Sequence, residues 1–330
     1  MERGSEEERM KGRTQLAGAI LAALCLAGCG ADETAQTAEN RMKILERNHL
    51  SLQEIEVDVP EIEGEHEILF LADTHLSLCD ERDPELQDKA AQRYASFADA
   101  EGRKADVTFR AWMEYIKWEQ PELVIFGGDI LDSAMYASID LLKEEWADLP
   151  CPYVYSMGNH DFEYGTEYYT QTAFENYLPR LETVSEARDG FQRKDCGDYL
   201  VFALDDYNNR YAPQALEGFR EAAASGKPIL LVTHVPLEPM TDDRSLIEAS
   251  IDAWGASGDG KSRVVLGRDG LGMDETTLAL TGEILAQDSP VCHVLAGHVH
   301  FPHEDRLTDR ISQTVTEAGY EGGGVRLILN

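Results

Sequence analysis

The chain has 330 residues, 43% of them hydrophobic, which is enough for one large domain or two ordinary ones and excludes a chain disordered throughout. Its formal net charge of −33 at pH 7 repels nucleic acid and anionic membranes at long range, and most of this charge is typical of a solvated acidic surface. The six cysteines include no CxxC pair and show no regular spacing. This argues against a zinc knuckle, a thioredoxin motif and a disulfide framework.

The N-terminus combines a short basic region, an apolar run and a cysteine. Lys11 and Arg13 precede "LAGAILAALCLAG" (16–28), which is short for a membrane span and typical of the apolar core of a signal peptide. "LAGC" (26–29) resembles the cleavage site of a bacterial lipoprotein signal. That resemblance implies that residues 1–28 are removed and that lipid on Cys29 anchors an exported protein at the cell surface or membrane. The alternative is a buried apolar helix that ends in Gly-Cys.

Two further features of this end bear on the domain boundaries. The acidic start "MERGSEEER" is unusual before such an apolar run, so translation from Met1 or from Met10 stays open. After Cys29 the chain is polar, and we assign residues 29–60 to a polar tether and N-terminal segment. Residues 61–330 are assigned to one domain.

Six short runs rich in Val, Ile, Leu, Phe and Tyr follow, each closed by a polar cluster, and they predict buried strands. They lie within 66–75, 122–132, 153–161, 198–206, 228–236 and 292–300. Helical spacing of apolar residues predicts helices at 109–120, 138–149, 213–226 and 274–287, the last with Asp274 as its N-cap. Strands that alternate with helices indicate a layered α/β fold. The long connections 76–120 and 237–273 are expected to form functional loops over a site.

Five of the six apolar runs end in residues that commonly bind metal ions. The closing stretches are "DTH" (73–75), "GGDILD" (127–132), "GNHD" (158–161), "TH" (233–234) and "GHVH" (297–300). In open α/β sheets ligands gather beyond the carboxyl ends of the strands, so these side chains are expected to meet. Imidazole with carboxylate suits manganese, iron, zinc or nickel and excludes an all-oxygen calcium cage. There are more candidate ligands than one ion can use, whereas two ions bridged by a carboxylate would use them all. Glycines 127, 128, 158 and 297 are expected to let the backbone turn tightly here.

These five motifs, in this order, resemble those of the calcineurin-like metallophosphoesterase family, from about residue 65 to the C-terminus. The resemblance implies a four-layer α/β/β/α sandwich, in which two mixed sheets are flanked by helices. It also implies two transition-metal ions, divalent or trivalent, with manganese, iron and zinc left open. On this basis Asp73, His75 and His300 hold one ion, Asn159, His234 and His298 hold the other, and Asp129 bridges both.

The same resemblance implies a role for two further residues. His160 would lie at the substrate as the proton donor, and Asp161 would fix the orientation of its ring. The implied activity is hydrolysis of phosphomonoesters or phosphodiesters, with a metal-bridging hydroxide as nucleophile and a small phosphorylated molecule as substrate.

Two other functions are weighed against this one. The first is a non-catalytic, metal-binding surface scaffold for a partner protein, which would not need an intact set of ligands. The second is a nuclease, against which the acidic charge and the predicted export argue. The sequence departs from the family pattern in an extra segment around 79–107, between "DTH" and "GGD". This segment is expected to shape the rim of the site, so substrates cannot be carried over from relatives.

Overall fold

The computed structural model describes residues 31–162, 171–206, 209–254, 264–267, 270 and 274–330, with side chains from 36 and 175 onward in the first two ranges. The predicted signal peptide (1–28), Cys29 and parts of the predicted loop 237–273 lie outside the described residues. The chain divides into two compact units, Met1–Ile44 and Leu45–Asn330. Among the described helices, none is long and apolar enough to cross a membrane.

The first described elements lie where a polar tether is predicted. Helix α1 spans Ala31–Asn48, and strand β1 spans Ser51–Val57. β1 pairs in parallel with the last strand, β11 (Gly323–Leu329). The sheet therefore begins before residue 61. β1 gives no apolar run in the sequence because it is an edge strand whose side chains are all exposed or half-buried.

The first sheet has five strands in the order β1, β11, β2, β3, β4. The three new strands are β2 (His66–Leu71), β3 (Leu123–Gly127) and β4 (Tyr153–Ser156). β2, β3 and β4 run parallel to one another, whereas β11 is antiparallel to β2.

The second sheet has six strands in the order β5, β6, β7, β8, β10, β9. They span Phe191–Asp195 (β5), Leu200–Leu204 (β6), Ile229–Thr233 (β7), Val291–Ala296 (β8), His303–Arg306 (β9) and Ser312–Val315 (β10). The central strands β6, β7, β8 and β10 are parallel, and the edge strands β5 and β9 are antiparallel to their neighbours. Both sheets are therefore mixed, and the six predicted strands are confirmed as β2, β3, β4, β6, β7 and β8.

The remaining helices lie between the strands. They span Gln87–Ser96 (α2), Ala105–Glu119 (α3), Tyr136–Trp146 (α4), Asn159–Phe162 (α5), Gln171–Leu181 (α6), Pro213–Ala223 (α7), Ser245–Trp254 (α8) and Glu275–Ile284 (α9). A 3-10 helix covers Gly319–Glu321. The four predicted helices are confirmed as α3, α4, α7 and α9. The carboxylate of Asp274 accepts a hydrogen bond from the Thr277 amide at 3.0 Å, as expected for an N-cap.

The two sheets pack face to face, with helices on their outer faces. Alternate residues of the central strands, such as Phe70 of β2 and Val232 of β7, are fully buried in one cluster between the sheets. On the outer face of the first sheet, Phe126 stacks on Trp146 of α4 with ring centroids 4.7 Å apart. Each fully buried side chain of this size contributes roughly 1.5–3 kcal/mol. The predicted α/β/β/α sandwich is confirmed.

Candidate metal centre

Every predicted ligand lies within a few residues of the carboxyl end of a strand. Asp73 and His75 follow β2, Asp129 follows β3, and Asn159 follows β4. From the second sheet, His234 follows β7, and His298 and His300 follow β8. Because the parallel strands of each sheet end at one edge, loops of both sheets meet there. The His298 amide, which follows β8 of the second sheet, donates to Oδ2 of Asp73, which follows β2 of the first sheet, at 2.9 Å.

The first predicted ligand group is assembled. One ligand atom from each of Asp73, His75 and His300 lies within 4.8 Å of the others. The Nε2 atoms of His75 and His300 are 3.1 Å apart, and Asp73 Oδ1 lies 3.8 Å and 3.3 Å from them.

The second group lies beside the first, and its Asp129 approaches His75 of the first group. Asp129, His234 and His298 also have ligand atoms within 4.8 Å of one another. Asp129 Oδ2 is 3.0 Å from His234 Nε2 and 3.9 Å from His75 Nε2, so this oxygen lies between the two groups. Asn159 Oδ1 is 3.1 Å from His298 Nδ1. The structure thus brings all seven predicted ligands together, with Asp129 between the groups.

The atoms left without partners fit a bound cation. Asp73 Oδ1 is buried and accepts no hydrogen bond from the residues that the structure describes. Three imidazole Nε2 atoms, of His75, His234 and His300, surround it at 3.3–3.8 Å. Two ligands of one transition-metal ion lie about 3–3.5 Å apart, because each metal–ligand bond is about 2.0–2.2 Å. The donor spacing and the donor types therefore suit transition-metal ions.

The tautomers of two rings fit the same interpretation. His234 Nδ1 lies 3.0 Å from the Gly127 carbonyl, and His75 Nδ1 lies 3.3 Å from the carboxylate of Asp132. A carbonyl or carboxylate oxygen can only accept, so Nδ1 carries the proton in both rings. When such a ring is neutral, Nε2 keeps a lone pair for a metal ion, an arrangement common among metal-binding histidines. Burial lowers the pKa of His234, but the carboxylates of Asp129 and Asp73 outweigh it and raise that pKa well above its usual value, so this ring must lose its Nε2 proton to bind a metal ion.

The backbone at the ligands is strained. Five of the seven predicted ligand residues have a left-handed φ, although none is a glycine: Asp73 (55°), His75 (49°), Asp129 (52°), His298 (75°) and His300 (64°). Such conformations cost roughly 1–3 kcal/mol each and concentrate at functional sites. Backbone hydrogen bonds hold them: the Asp73 amide donates to the Gly128 carbonyl at 3.0 Å, and the His75 amide donates to the Asp129 carbonyl at 2.9 Å.

The expected tight turn is found at one of the four motif glycines, and two others are needed for a different reason. Among them only Gly128 has a left-handed φ, of 91°. Gly158 and Gly297 are needed for space instead. A Cβ at residue 158 would lie 2.5 Å from Asp129 Oδ1 and 2.6 Å from the His234 ring, and one at 297 would lie 2.6 Å from Asp73 Oδ2.

We therefore expect Gly158→Ala to lower the free energy of unfolding by about 1–3 kcal/mol, because the new methyl group displaces two ligand side chains. Its metal content should also fall. Gly282→Ala is the matched control, since a Cβ on that helical glycine of α9 meets nothing within 4 Å, and it should gain roughly 0.5–1 kcal/mol. Urea unfolding and elemental analysis measure both effects. A Gly158→Ala protein with wild-type stability and metal content would refute this account.

The charges favour ionised carboxylates at the centre. Burial raises the pKa of Asp73 and of Asp129, but the neighbouring imidazoles, with His234 foremost, outweigh it and hold both values below the usual range. Burial lowers the pKa of His75 to about 4, so this ring is neutral. For His160, burial lowers the pKa, and the carboxylates of Asp129 and Asp132 outweigh it, so the net shift is upward. The two carboxylates thus shift His160 toward its cationic form, whereas His75 is neutral.

The predicted partner of His160 is wrong. His160 Nδ1 lies 2.9 Å from Asp132 Oδ1, and Asp132 is the carboxylate that faces its ring. The carboxylate of Asp161 instead accepts from the backbone amides of Asp129, Leu131 and Gly158, each at 2.7 Å. The reason is local: residues 159–162 form a helical turn, in which consecutive side chains do not face the same way. Burial and the nearby Asp129 raise the pKa of Asp161 to about 7.

Four residues at the site were missed by the sequence reasoning. Asp132 is 1% exposed and ends the motif "GGDILD", so its position in that motif was a usable signal. Arg93 of α2 donates from Nε to Asp132 Oδ2 at 2.7 Å. Phe97 stacks on His75 with ring centroids 4.0 Å apart, and Tyr320 packs edge-on against His300 at 5.5 Å. No motif marks these last three residues.

The chain was compared with known proteins. Among solved structures it is similar to a dimetal phosphatase from Danio rerio, at 11% identity and a TM-score of 0.46, over 78% of this chain and 88% of that one. It is also similar to a purple acid phosphatase from seeds of yellow lupin (Lupinus luteus), at 14% identity and a TM-score of 0.44, over 82% of this chain and 46% of the lupin chain. No curated protein matches the sequence.

A family model supplies the assignment. The model of the calcineurin-like phosphoesterase family matches residues 66–302, which is more than two thirds of the chain and includes all five motifs. The resemblance seen in the sequence is thereby confirmed. The chain belongs to the calcineurin-like phosphoesterase family and is a metal-dependent phosphoesterase.

Proposed function

We propose that the chain hydrolyses small phosphate esters with two transition-metal ions held side by side. The proposed ligands are Asp73, His75 and His300 for one ion and Asn159, His234 and His298 for the other, with Asp129 bridging. One observation carries this assignment: Asp129 Oδ2 lies between the two ligand groups, 3.0 Å from His234 Nε2 and 3.9 Å from His75 Nε2.

The residues around the centre have definable tasks in such a reaction. When bound, two such ions supply a water of lowered pKa and neutralise charge on the transferred phosphoryl group. His160 is 23% exposed at its side chain, and its amide donates to Asp129 Oδ1 at 2.7 Å, which holds the residue beside the centre. In its cationic form its ring can donate a proton to the leaving oxygen. Asp132 stabilises that form and orients the ring.

The charge of the chain supports small substrates. A net charge of −33 disfavours long polyanions such as nucleic acid, because phosphate contacts draw their affinity from Lys and Arg. A small phosphomonoester or phosphodiester carries few charges, and bound cations compensate them locally. Binding of single-stranded or double-stranded DNA at low salt should therefore be weak, which a filter-binding assay can measure.

The decisive experiment is a screen of the purified protein. Chromogenic phosphomonoesters and phosphodiesters are offered with Mn²⁺, Fe²⁺ or Zn²⁺, and the bound metals are measured by elemental analysis. We expect turnover with at least one ion and close to two metal equivalents per chain. A protein that binds no metal and turns over no ester with any ion would contradict the proposal. A protein that binds metal without turnover would instead favour the surface scaffold.

We also propose that the enzyme is exported and anchored by lipid on Cys29. The support is the sequence alone: a basic region, an apolar run and "LAGC" directly before a polar segment. In a bacterial host, wild-type protein should incorporate labelled fatty acid and partition into detergent. Cys29→Ser should do neither, and Cys25→Ser should behave like wild type. Equal labelling of wild type and Cys29→Ser would exclude this anchor.

A further inference from the structure

We propose that Arg93 is a positioning residue of this centre, which holds the rings of His75 and His160 in place through Asp132 and Phe97. The inference rests on the proposed function, because it assigns roles relative to the same two rings. Arg93 lies on α2, within the extra segment 79–107 that departs from the family pattern.

The first contact is a two-point hydrogen bond to a buried carboxylate. Arg93 Nε donates to Asp132 Oδ2 at 2.7 Å, and Nη2 donates to Asp132 Oδ1 at 2.8 Å. The Arg93 side chain is 21% exposed, and that of Asp132 is fully buried. A planar guanidinium that grips both oxygens fixes the plane of the carboxylate, which a lysine could not do.

That carboxylate serves two rings of the centre at once. Asp132 Oδ1 lies 3.3 Å from His75 Nδ1 and 2.9 Å from His160 Nδ1. It can face both rings only if it does not rotate. The two hydrogen bonds from Arg93 prevent this rotation, and its positive charge compensates the buried negative charge of Asp132. Asp132 Oδ1 therefore stays in reach of both rings.

A second contact reaches His75 from the face of its ring. The guanidinium of Arg93 lies 4.4 Å from the centroid of the Phe97 ring. Phe97 in turn stacks on His75, with centroids 4.0 Å apart and an angle of 5° between the rings. His75 is therefore held at its Nδ1 edge by Asp132 and on one face by Phe97, and Arg93 contacts both of these residues.

These contacts favour positioning through Asp132. Two of the five N–H donors of the guanidinium bond to Asp132, and we assign the effect of Arg93 on the reaction to that carboxylate. Loss of such an outer contact typically lowers metal affinity or activity by about 10–100-fold. We therefore expect Arg93→Met to lower kcat by about 10–100-fold while KM stays within about two-fold.

The experiment compares three variants of the full chain. Arg93→Met removes both the positive charge and the two-point hydrogen bond to Asp132. Arg93→Lys keeps the charge but not the two-point hydrogen bond, and Gln92→Met changes an exposed neighbour on the same helix. Kinetics on a chromogenic phosphate ester with Mn²⁺, calorimetric titration of chelator-treated protein with Mn²⁺, and thermal unfolding are measured for each. Arg93→Met should bind Mn²⁺ more weakly at one site at least, Arg93→Lys should lie between it and wild type in kcat, and Gln92→Met should match wild type.

Several results would overturn the inference. A folded Arg93→Met protein with wild-type kcat and wild-type Mn²⁺ affinity would do so, and so would a change in KM alone, which would place Arg93 at the substrate. If Arg93→Met does not fold, Arg93→Lys decides. A wild-type kcat in Arg93→Lys would show that the two-point hydrogen bond to Asp132 has no role in positioning the rings. A wild-type protein without activity would instead contradict the proposed function, and the Mn²⁺ titrations would still test Arg93.

Discussion

Asp129→Asn is expected to lower kcat/KM for a phosphate ester by at least about 10³-fold, or about 4 kcal/mol of transition-state stabilisation. The amide keeps the shape of the side chain and can still accept the His160 amide, which now donates to Asp129 Oδ1 at 2.7 Å. It loses the charge of Oδ2, the atom placed between the two ligand groups. Metal content should therefore fall together with activity, while the fold is kept.

The matched control is Asp305→Asn, a second buried carboxylate outside the ligand groups. Asp305 is 6% exposed and accepts from Gln313 Nε2 at 3.2 Å. Burial raises its pKa to about 7, so a neutral amide is a close replacement near neutral pH. This variant should keep wild-type metal content and kcat/KM. If Asp129→Asn retained two metal equivalents and wild-type activity, the bridging role would be excluded.

His160→Gln should lose about 10²–10⁴-fold in kcat on an ester with an aliphatic leaving group, because no proton donor then faces the leaving oxygen. The loss should be much smaller on a nitrophenyl ester, since an acidic phenol leaves without protonation. Metal content should stay at the wild-type value, because His160 is not among the proposed ligands. Steady-state kinetics on the two esters and elemental analysis measure these effects.

The control for this change is His303→Gln, the same substitution on β9, where the ring contacts Ser245 Oγ at 3.1 Å. This variant should keep the wild-type kcat on both esters. Loss of a metal equivalent in His160→Gln would make His160 a ligand, in line with its position within 4.8 Å of ligand atoms of His75 and Asp129. An equal loss on both esters would rule out proton donation.

The strands that the sequence predicted are those whose residues are both apolar and buried. The six predicted strands, which include the edge strand β4, are mostly buried, so they read as continuous apolar runs. The edge strands β1, β5 and β9 carry polar side chains that protect an open edge, and no run marks them. β11 lies inside the first sheet but was missed, because Arg326 interrupts its apolar residues; that side chain donates to Glu67 Oε2 at 2.6 Å.

The site residues that were predicted and those that were missed differ in the same way: a local sequence pattern marks the former and, Asp132 excepted, not the latter. The candidate ligands at the strand ends were expected to meet, because ligands gather beyond the carboxyl ends of strands in such folds, and the structure brings these side chains together. That they hold metal ions stays a prediction. Arg93 and Phe97 reach the centre from a segment of mixed polarity, and only the packing of α2 against the strand-end loops brings them there. Asp161 was predicted to contact the His160 ring because it follows His160 directly in sequence. Both residues lie in a helical turn, in which consecutive side chains point in different directions.

The division of the ligands between the two sheets has a consequence for how the protein matures. Asp73 and the amide of His298, which are in hydrogen-bonding contact, are 225 positions apart along the chain. Contacts of such long range are slow to form, because closing the intervening chain costs conformational entropy. Neither half of the sandwich carries all of the proposed ligands. On the proposed assignment an unfinished chain has no complete metal centre, so we expect metal loading to follow the docking of the two sheets.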